Sequence, residues 1–210
     1  EIYSYLANGS IVAQGMDPYS AGPVQLLGAG NKLARSVPFI WANSPSPYGP
    51  VALGLAAVVS AVTSNSILLG VITHRLLSIA GIIVAGWAIS CLAQRCRVSP
   101  ESALWLGILN PLTILHLVGG IHNESIMLGL LLVGMELGLR GVDKLDASRR
   151  SAYLALVASG FCLSCAGMVK VTGFIGLGFV GMAYARRLIN AHGTARWKAL
   201  AYAIALQIIV

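Results

Sequence analysis

The sequence predicts an all-α protein that resides in a membrane and crosses it several times. Three observations predict it. Hydrophobic side chains make up 57% of the 210 residues and charged ones only 10%, where a soluble domain carries roughly a quarter. The mean hydropathy is +0.79, and several apolar stretches approach the ~20 residues that a helix needs to span a bilayer. The 14 basic residues fall mostly in clusters between those stretches.

Residues 1–50 differ from all that follows. They hold six of the eight prolines and six of the fifteen aromatics, in stretches such as "GMDPYSAGP" and "NSPSPYGP". Punctuation of this kind gives an ordered, turn-rich loop. Within it, "EIYSYLANGSIVAQG" spaces Ile2, Tyr5, Leu6, Ile11 and Val12 near the helical period, which predicts a helix lying on the membrane interface. The 13 residues of 51–63 are too few to span, so a re-entrant or interfacial helix is expected there. Crossings are expected at 76–94, 102–118, 125–139, 151–169 and 171–185. The run 199–210 is apolar but too short to span. Residue 1 falls inside an amphipathic pattern and the last apolar run stops early, so the sequence reads as a piece of a larger protein. Two regions follow: an extracytoplasmic loop with an interfacial helix over 1–50, and a transmembrane helical region over 51–210.

Basic residues concentrate in cytoplasmic loops. With the 1–50 loop outside and 76–94 as the first full crossing, ten of them fall inside: Arg95, Arg97, Arg140, Lys144, Arg149, Arg150, Arg186, Arg187, Arg196 and Lys198. Lys32, Arg35, Arg75 and Lys170 remain outside. A crossing at 51–69 would invert this bias. The segment "SPES" agrees, with Ser99 as N-cap, Pro100 in the first turn and Glu101 after it, so the 102–118 helix starts inside. The net charge of +7 is therefore a feature of membrane topology. No basic face on a soluble element is visible, and nucleic acid is not an expected partner.

The chemistry gathers on the outer side. "GGIHNE" at 119–124 brings His122, Asn123 and Glu124 to the start of the 125–139 helix. Arg75 opens the 76–94 crossing, and Lys170 sits between two crossings at the same level. The loop adds Glu1 and Asp17 with Tyr3, Tyr5, Tyr19, Trp41 and Tyr48. A carboxylate can take a proton from a hydroxyl, cations and a helix N-terminus can hold a phosphate, and aromatics can stack on sugar. At the outer lipid boundary these are the parts for moving a group from a lipid phosphate. Three carboxylates, Glu1, Asp17 and Glu124, share this surface and any of them could take the proton. Arg75, Lys170, His122, Asn123, Glu124 and Tyr48 are the candidates for donor phosphate and sugar. The plainer readings are Asn123 as a helix cap, Glu124 as a helix-dipole partner, and Arg75 and Lys170 as snorkelling anchors. Asp17 before Pro18 also suits an ordinary turn. His116, on an apolar stretch, reads as a core histidine.

No His, Asp or Glu pair has the close helical spacing of a dedicated metal site, so no metal is expected. Cys162 and Cys165 have redox spacing, but within an apolar helix they read as small packing residues.

The stretches "EIYSYLANGSIVAQGMDPYSAGP", "SPSPYGP", "HRLLSIAG", "NPLTILHLVGGIHNESIMLGLLLVG" and "VKVTG" resemble the polyprenol-phosphate-mannose-dependent α-1,6-mannosyltransferases of actinobacteria, over essentially the whole chain. These are enzymes of the GT-C fold that extend the mannan backbone of lipomannan and lipoarabinomannan. The resemblance implies an inverting transfer at the outer face of the plasma membrane, without a cofactor. Mannose would pass from polyprenyl-phosphate mannose to the 6-hydroxyl of a lipid-anchored mannan acceptor. The family places an essential aspartate just after its first membrane helix, opening a "DVYSY"-like motif; Glu1 stands at that position here. Asp17, in "DPY", keeps the family's residue, so the resemblance makes Glu1 the first candidate base and Asp17 the second. The rival readings are a lipid-linked sugar transporter or flippase, and a diverged non-catalytic paralogue. Uncharged span centres argue against the transporter.

Overall fold

The computed structural model describes residues 1–209, and helices are the only regular elements among them. Helix α1 (Ile2–Ala13) leads into three short helices, α2 (Pro23–Leu27), α3 (Lys32–Ser36) and α4 (Phe39–Ala42), and then α5 (Pro50–Val62). The long α6 (Ile67–Arg95) is followed by α7 (Pro100–Gly107) and by α8 (Pro111–Gly119), whose last six residues are wound as a π-helix. Then come α9 (Glu124–Asp143), α10 (Arg149–Val169), a short 3₁₀ turn, α11 (Ile175–His192) and α12 (Arg196–Ile209).

Among the described residues three helices, α6, α9 and α10, are long and apolar enough to cross a membrane, and a fourth if the bent pair α7–α8 counts as one span. The expected 102–118 crossing is thus broken, with a bend of 48°. Pro111 has no N–H to offer the preceding turn, and the Asn110 side chain starts a new helix by accepting from Leu112 N at 2.9 Å. The segments 171–185 and 199–209 are helical but fall short of the same measure.

The polar start of α7 is as expected: Ser99 Oγ accepts from Ser102 N at 3.1 Å, Pro100 is in the first turn and Glu101 follows. Helix α6 starts nine residues earlier than the expected crossing, capped by Ser66. Arg75 therefore lies inside a continuous helix instead of opening one. At 29 residues, α6 is about 43 Å long at 1.5 Å per residue, more than the ~30 Å hydrocarbon core needs. Its first two turns pack on α1, with Leu6 meeting Gly70 and the Tyr5 ring stacked on His74.

Helix α1 is packed more deeply into the protein than its spacing suggests: all eight residues from Ser4 to Ile11 are buried. Ala7, Gly9 and Ser10 interrupt the apolar stripe in the sequence, yet their small size lets α5 come close, with Gly9 against the backbone of Ala56.

Helices α6 and α9 run side by side in the same direction, α7–α8 returning between them. A Cβ on Gly81 would lie 2.6 Å from Ser125 O, and one on Gly129 2.8 Å from Gly81 O. Small residues of this kind let membrane helices touch backbone to backbone. Helix α10 runs back along α9, held by a Ser159 Oγ–H donated to Gly134 O at 2.6 Å.

Candidate active site

The candidate site forms where the start of α1, the Tyr48 loop, the turn before α9 and the end of α10 converge. In that turn Gly119 and Gly120 are followed by Ile121, which is buried (3% exposed) with φ +54°. A β-branched residue in the left-handed region costs on the order of 1–3 kcal/mol and persists only where its surroundings hold it. The burial of Ile121 is that hold, and it aims His122, Asn123 and Glu124 back toward α1.

Glu1 is the hub. Its Oε2 accepts from the Tyr5 hydroxyl at 2.6 Å and lies 2.9 Å from His122 Nδ1. Tyr5 Oη in turn accepts from Asn123 N at 3.4 Å. This one phenol joins residue 1 to the helix that starts more than a hundred residues later. Burial, followed by the hydrogen bond to Glu1, pushes the Tyr5 hydroxyl far above the ordinary phenol range. Tyr48 packs its ring edge-on against Tyr5 at 4.9 Å. Its hydroxyl is pushed up by burial and by the charges of Glu1 and Glu124. Both phenols stay neutral donors.

Glu124 Oε1 pairs with Lys170, and its Oε2 lies 3.9 Å from His122 Nδ1. The bond to Glu124 raises the Lys170 ammonium above the usual lysine range, so it stays a cation. Among the described residues the only ion-pair partner of Glu1 is His122. Between these groups opens a cleft of about 140 Å³, lined by Glu1, Trp41, Tyr48, Asn123, Glu124 and Lys170 among others.

Six of the eight sequence-derived candidates thus meet: Glu1, Tyr48, His122, Asn123, Glu124 and Lys170. The other two do not join the cleft. Arg75 donates to Gly119 O at 3.5 Å, on the turn behind it. Asp17 is exposed and shapes its own turn, accepting from Tyr19 N at 2.9 Å. Asn123 is the residue before α9, but its side chain makes no cap hydrogen bond and lines the cleft instead. His116 is exposed, not a core residue, and stacks on His122 with ring centroids 4.0 Å apart.

Two things escaped the sequence reading. Tyr5 stood one helical turn from Glu1, a signal that was available. Glu1, His122 and Glu124 also offer three ligand atoms within 4.8 Å of one another, a set able to hold a cation. Close sequence spacing could not reveal that set, because Glu1 comes from a distant helix.

The comparisons with known proteins point one way. The family described as alpha-(1->6)-mannopyranosyltransferase, N-terminal domain, matches residues 1–186. Alpha-(1->6)-mannopyranosyltransferase B of Corynebacterium glutamicum is 64% identical over 187 residues, covering 89% of this chain and 31% of that protein. A probable alpha-(1->6)-mannopyranosyltransferase of Mycolicibacterium smegmatis is 40% identical over 202 residues, covering 89% of this chain and 36% of the relative. Alpha-(1->6)-mannopyranosyltransferase A of Mycobacterium tuberculosis is 33% identical over 210 residues, covering 100% of this chain and 38% of the relative. The chain therefore spans about a third of the length of these relatives. No solved structure matches it. With the N-terminal domain of the family matched across most of its length, this membrane protein belongs to the alpha-(1->6)-mannopyranosyltransferase family.

Proposed function

We propose that this chain carries part of the active site of an integral-membrane mannosyltransferase. In this reading mannose moves from polyprenyl-phosphate mannose to the 6-hydroxyl of a lipid-anchored α-1,6-mannan. The reaction takes place at the outer face of the plasma membrane and inverts the anomeric centre. Residues 1–50 form the extracytoplasmic region and 51–210 the multi-pass transmembrane region. The observation that carries the reading is the Glu1 carboxylate, which shares one cleft with Lys170.

The acceptor's O6 attacks the anomeric carbon as its proton passes to Glu1, and the bond from that carbon to the phosphate oxygen breaks. Tyr5 and His122 fix the carboxylate of Glu1, which keeps its second oxygen, Oε1, for the acceptor. The lipid phosphate leaves with growing negative charge. Lys170 and the N-terminal end of α9 face that charge, and preset charges of this kind lower a barrier without reorganising. Glu124 is too close to the anion to help it directly and serves to hold Lys170 in place. Asn123 and Tyr48 present donors and an aromatic edge to the sugar. Asp17 stands as the second candidate base.

The test uses membranes containing the full-length protein, polyprenyl-phosphate mannose labelled in its sugar, and a synthetic α-1,6-oligomannoside. The expected result is label in a new α-1,6 linkage, lost in Glu1→Gln. Label released only as free mannose, or full transfer in both Glu1→Gln and Asp17→Asn, would refute the assignment. For orientation, Gly30→Cys should react with an impermeant thiol reagent on intact cells and Ala147→Cys should not. The reverse pattern would turn the site to the cytoplasm.

A further inference from the structure

The segment of α3 and α4 carries an exposed patch that the transfer reading does not use. Leu33, Val37 and Ala42 anchor the segment, buried in one cluster with Leu6 and Ala7 of α1. Its other side chains turn outward. Phe39 is 87% exposed, Ile40 57% and Trp41 45%, and Lys32 and Arg35 are exposed as well. Neither cation has an ion-pair partner among the described residues. Arg35 precedes Phe39 by one short connection, which can span at most about 14 Å. Three large apolar side chains and two free cations thus share one anchored stretch.

The level of this patch in the membrane follows from Trp41, which lines the cleft together with Glu124 and Val169. Glu124 opens α9 and Val169 ends α10. These helices have 20 and 21 residues, about 30 Å each at 1.5 Å per residue, which matches the ~30 Å hydrocarbon core. Their ends therefore lie at the boundary between hydrocarbon and headgroups, and Trp41 lies there with them. Tryptophan is favoured at that level because its ring is apolar while its N–H needs a polar partner. Lys32 and Arg35 are also two of the four basic residues that the charge asymmetry leaves on this side, so membrane topology does not account for them.

We propose that α3 and α4 dock on the bilayer surface beside the cleft. Phe39, Ile40 and Trp41 enter the acyl boundary, and Lys32 and Arg35 meet the phosphates of anionic phospholipids. Short segments that join basic and aromatic side chains bind membrane surfaces in this way, and each cation near an anionic leaflet strengthens the attachment. Protein closing over the same patch would have to desolvate both cations, whereas in the headgroup layer they stay hydrated beside phosphate. Because Trp41 is also a wall of the cleft, the docked segment holds the cleft at headgroup level.

The experiment uses the full-length protein with its cysteines replaced by serine, in vesicles of phosphatidylcholine with or without phosphatidylglycerol. A nitroxide on Ile40→Cys is compared with one on Ala29→Cys, an exposed position in the same loop. Collision with dissolved oxygen reports lipid, and collision with a water-soluble nickel chelate reports water. The expected result is an oxygen-to-nickel ratio at position 40 severalfold above that at position 29. Free access of the chelate to position 40 means that the patch lies in water, and access of neither reagent means that protein covers it. Either outcome overturns the proposal. Phosphatidylglycerol should raise the ratio at position 40, and the rise should vanish when Lys32→Gln and Arg35→Gln are combined. An equal ratio in the two kinds of vesicle overturns the assignment of anionic lipid. No mannose transfer is read, so a failure here leaves the transfer reading standing.

Discussion

Two clusters of charge sit at opposite ends of α9, and they are built on opposite principles. At the far end Glu136 is buried (2% exposed), and both of its oxygens are taken. Arg95 Nε donates at 2.7 Å and Arg140 Nε at 2.6 Å. Arg95 also reaches Asp143 at 2.5 Å, and the Arg140 guanidinium lies 5.3 Å from the centre of the Trp87 ring. At the near end the Glu1 side chain is 37% exposed, its nearest neighbours are a phenol and an imidazole, and it borders an open cleft. A buried carboxylate bonded by an arginine on each oxygen has no oxygen to spare, which suits a structural tie. A carboxylate held by a phenol and an imidazole at the mouth of a cleft can still receive a proton from a ligand. The contrast separates two glutamates that composition alone leaves alike.

That contrast can be broken by exchange of effects. The largest is expected at Glu1, where Glu1→Gln in the full-length protein should lower turnover about 10²–10⁴-fold with little change in Tm. The mirror variant, Glu136→Gln, should cost stability: removing one partner of a buried pair costs about 3–5 kcal/mol, reduced here because the arginines remain partly exposed. Turnover per folded molecule should survive in Glu136→Gln. If the two variants swap outcomes, the division into a working and a structural end fails.

Lys170 sharpens the comparison at an intermediate level. Lys170→Met should cut transfer about tenfold or more and weaken donor binding, whereas Arg75→Met, whose partner is the Gly119 carbonyl, should change it less. Normal turnover per folded molecule in Lys170→Met would reduce that cation to an anchor. A smaller effect on turnover is expected from Tyr5→Phe: the lost hydrogen bond to a carboxylate amounts to about 1.5–3 kcal/mol in all, and most of it should appear as lost stability because Tyr5 is buried.

The smallest effect concerns pH. Lys170 has a raised pKa, so its contribution to stability is fully present below the unfolded value of about 10.4 and is lost only as pH rises through the higher folded one. Tyr5 and Tyr48 are raised too and remain protonated over the same range. The pH–rate profile measured up to pH ~10 should therefore show no alkaline fall from these groups. A fall that disappears in Tyr48→Phe would contradict that.

Much of this was legible in the chain itself. Helix α1 follows from the 3.6-residue period of its apolar side chains, and the helical class and membrane setting from apolar runs near the length of a span, because backbone hydrogen bonding in lipid must be satisfied within the segment. The start of α7 is written in Ser99, Pro100 and Glu101, and the polar turn at 119–124 in its own residues, because caps and turns are local. What the period cannot say is which helices touch. Glu1 meets His122 because small residues let α1 sink between α5 and α6 and because Ile121 is held at φ +54°. Glu136 meets Arg95 because Gly81 and Gly129 set α6 and α9 side by side in the same direction. Bringing such residues together needs packing across the whole chain, and only the tertiary structure decides which carboxylate is saturated and which is left free to react.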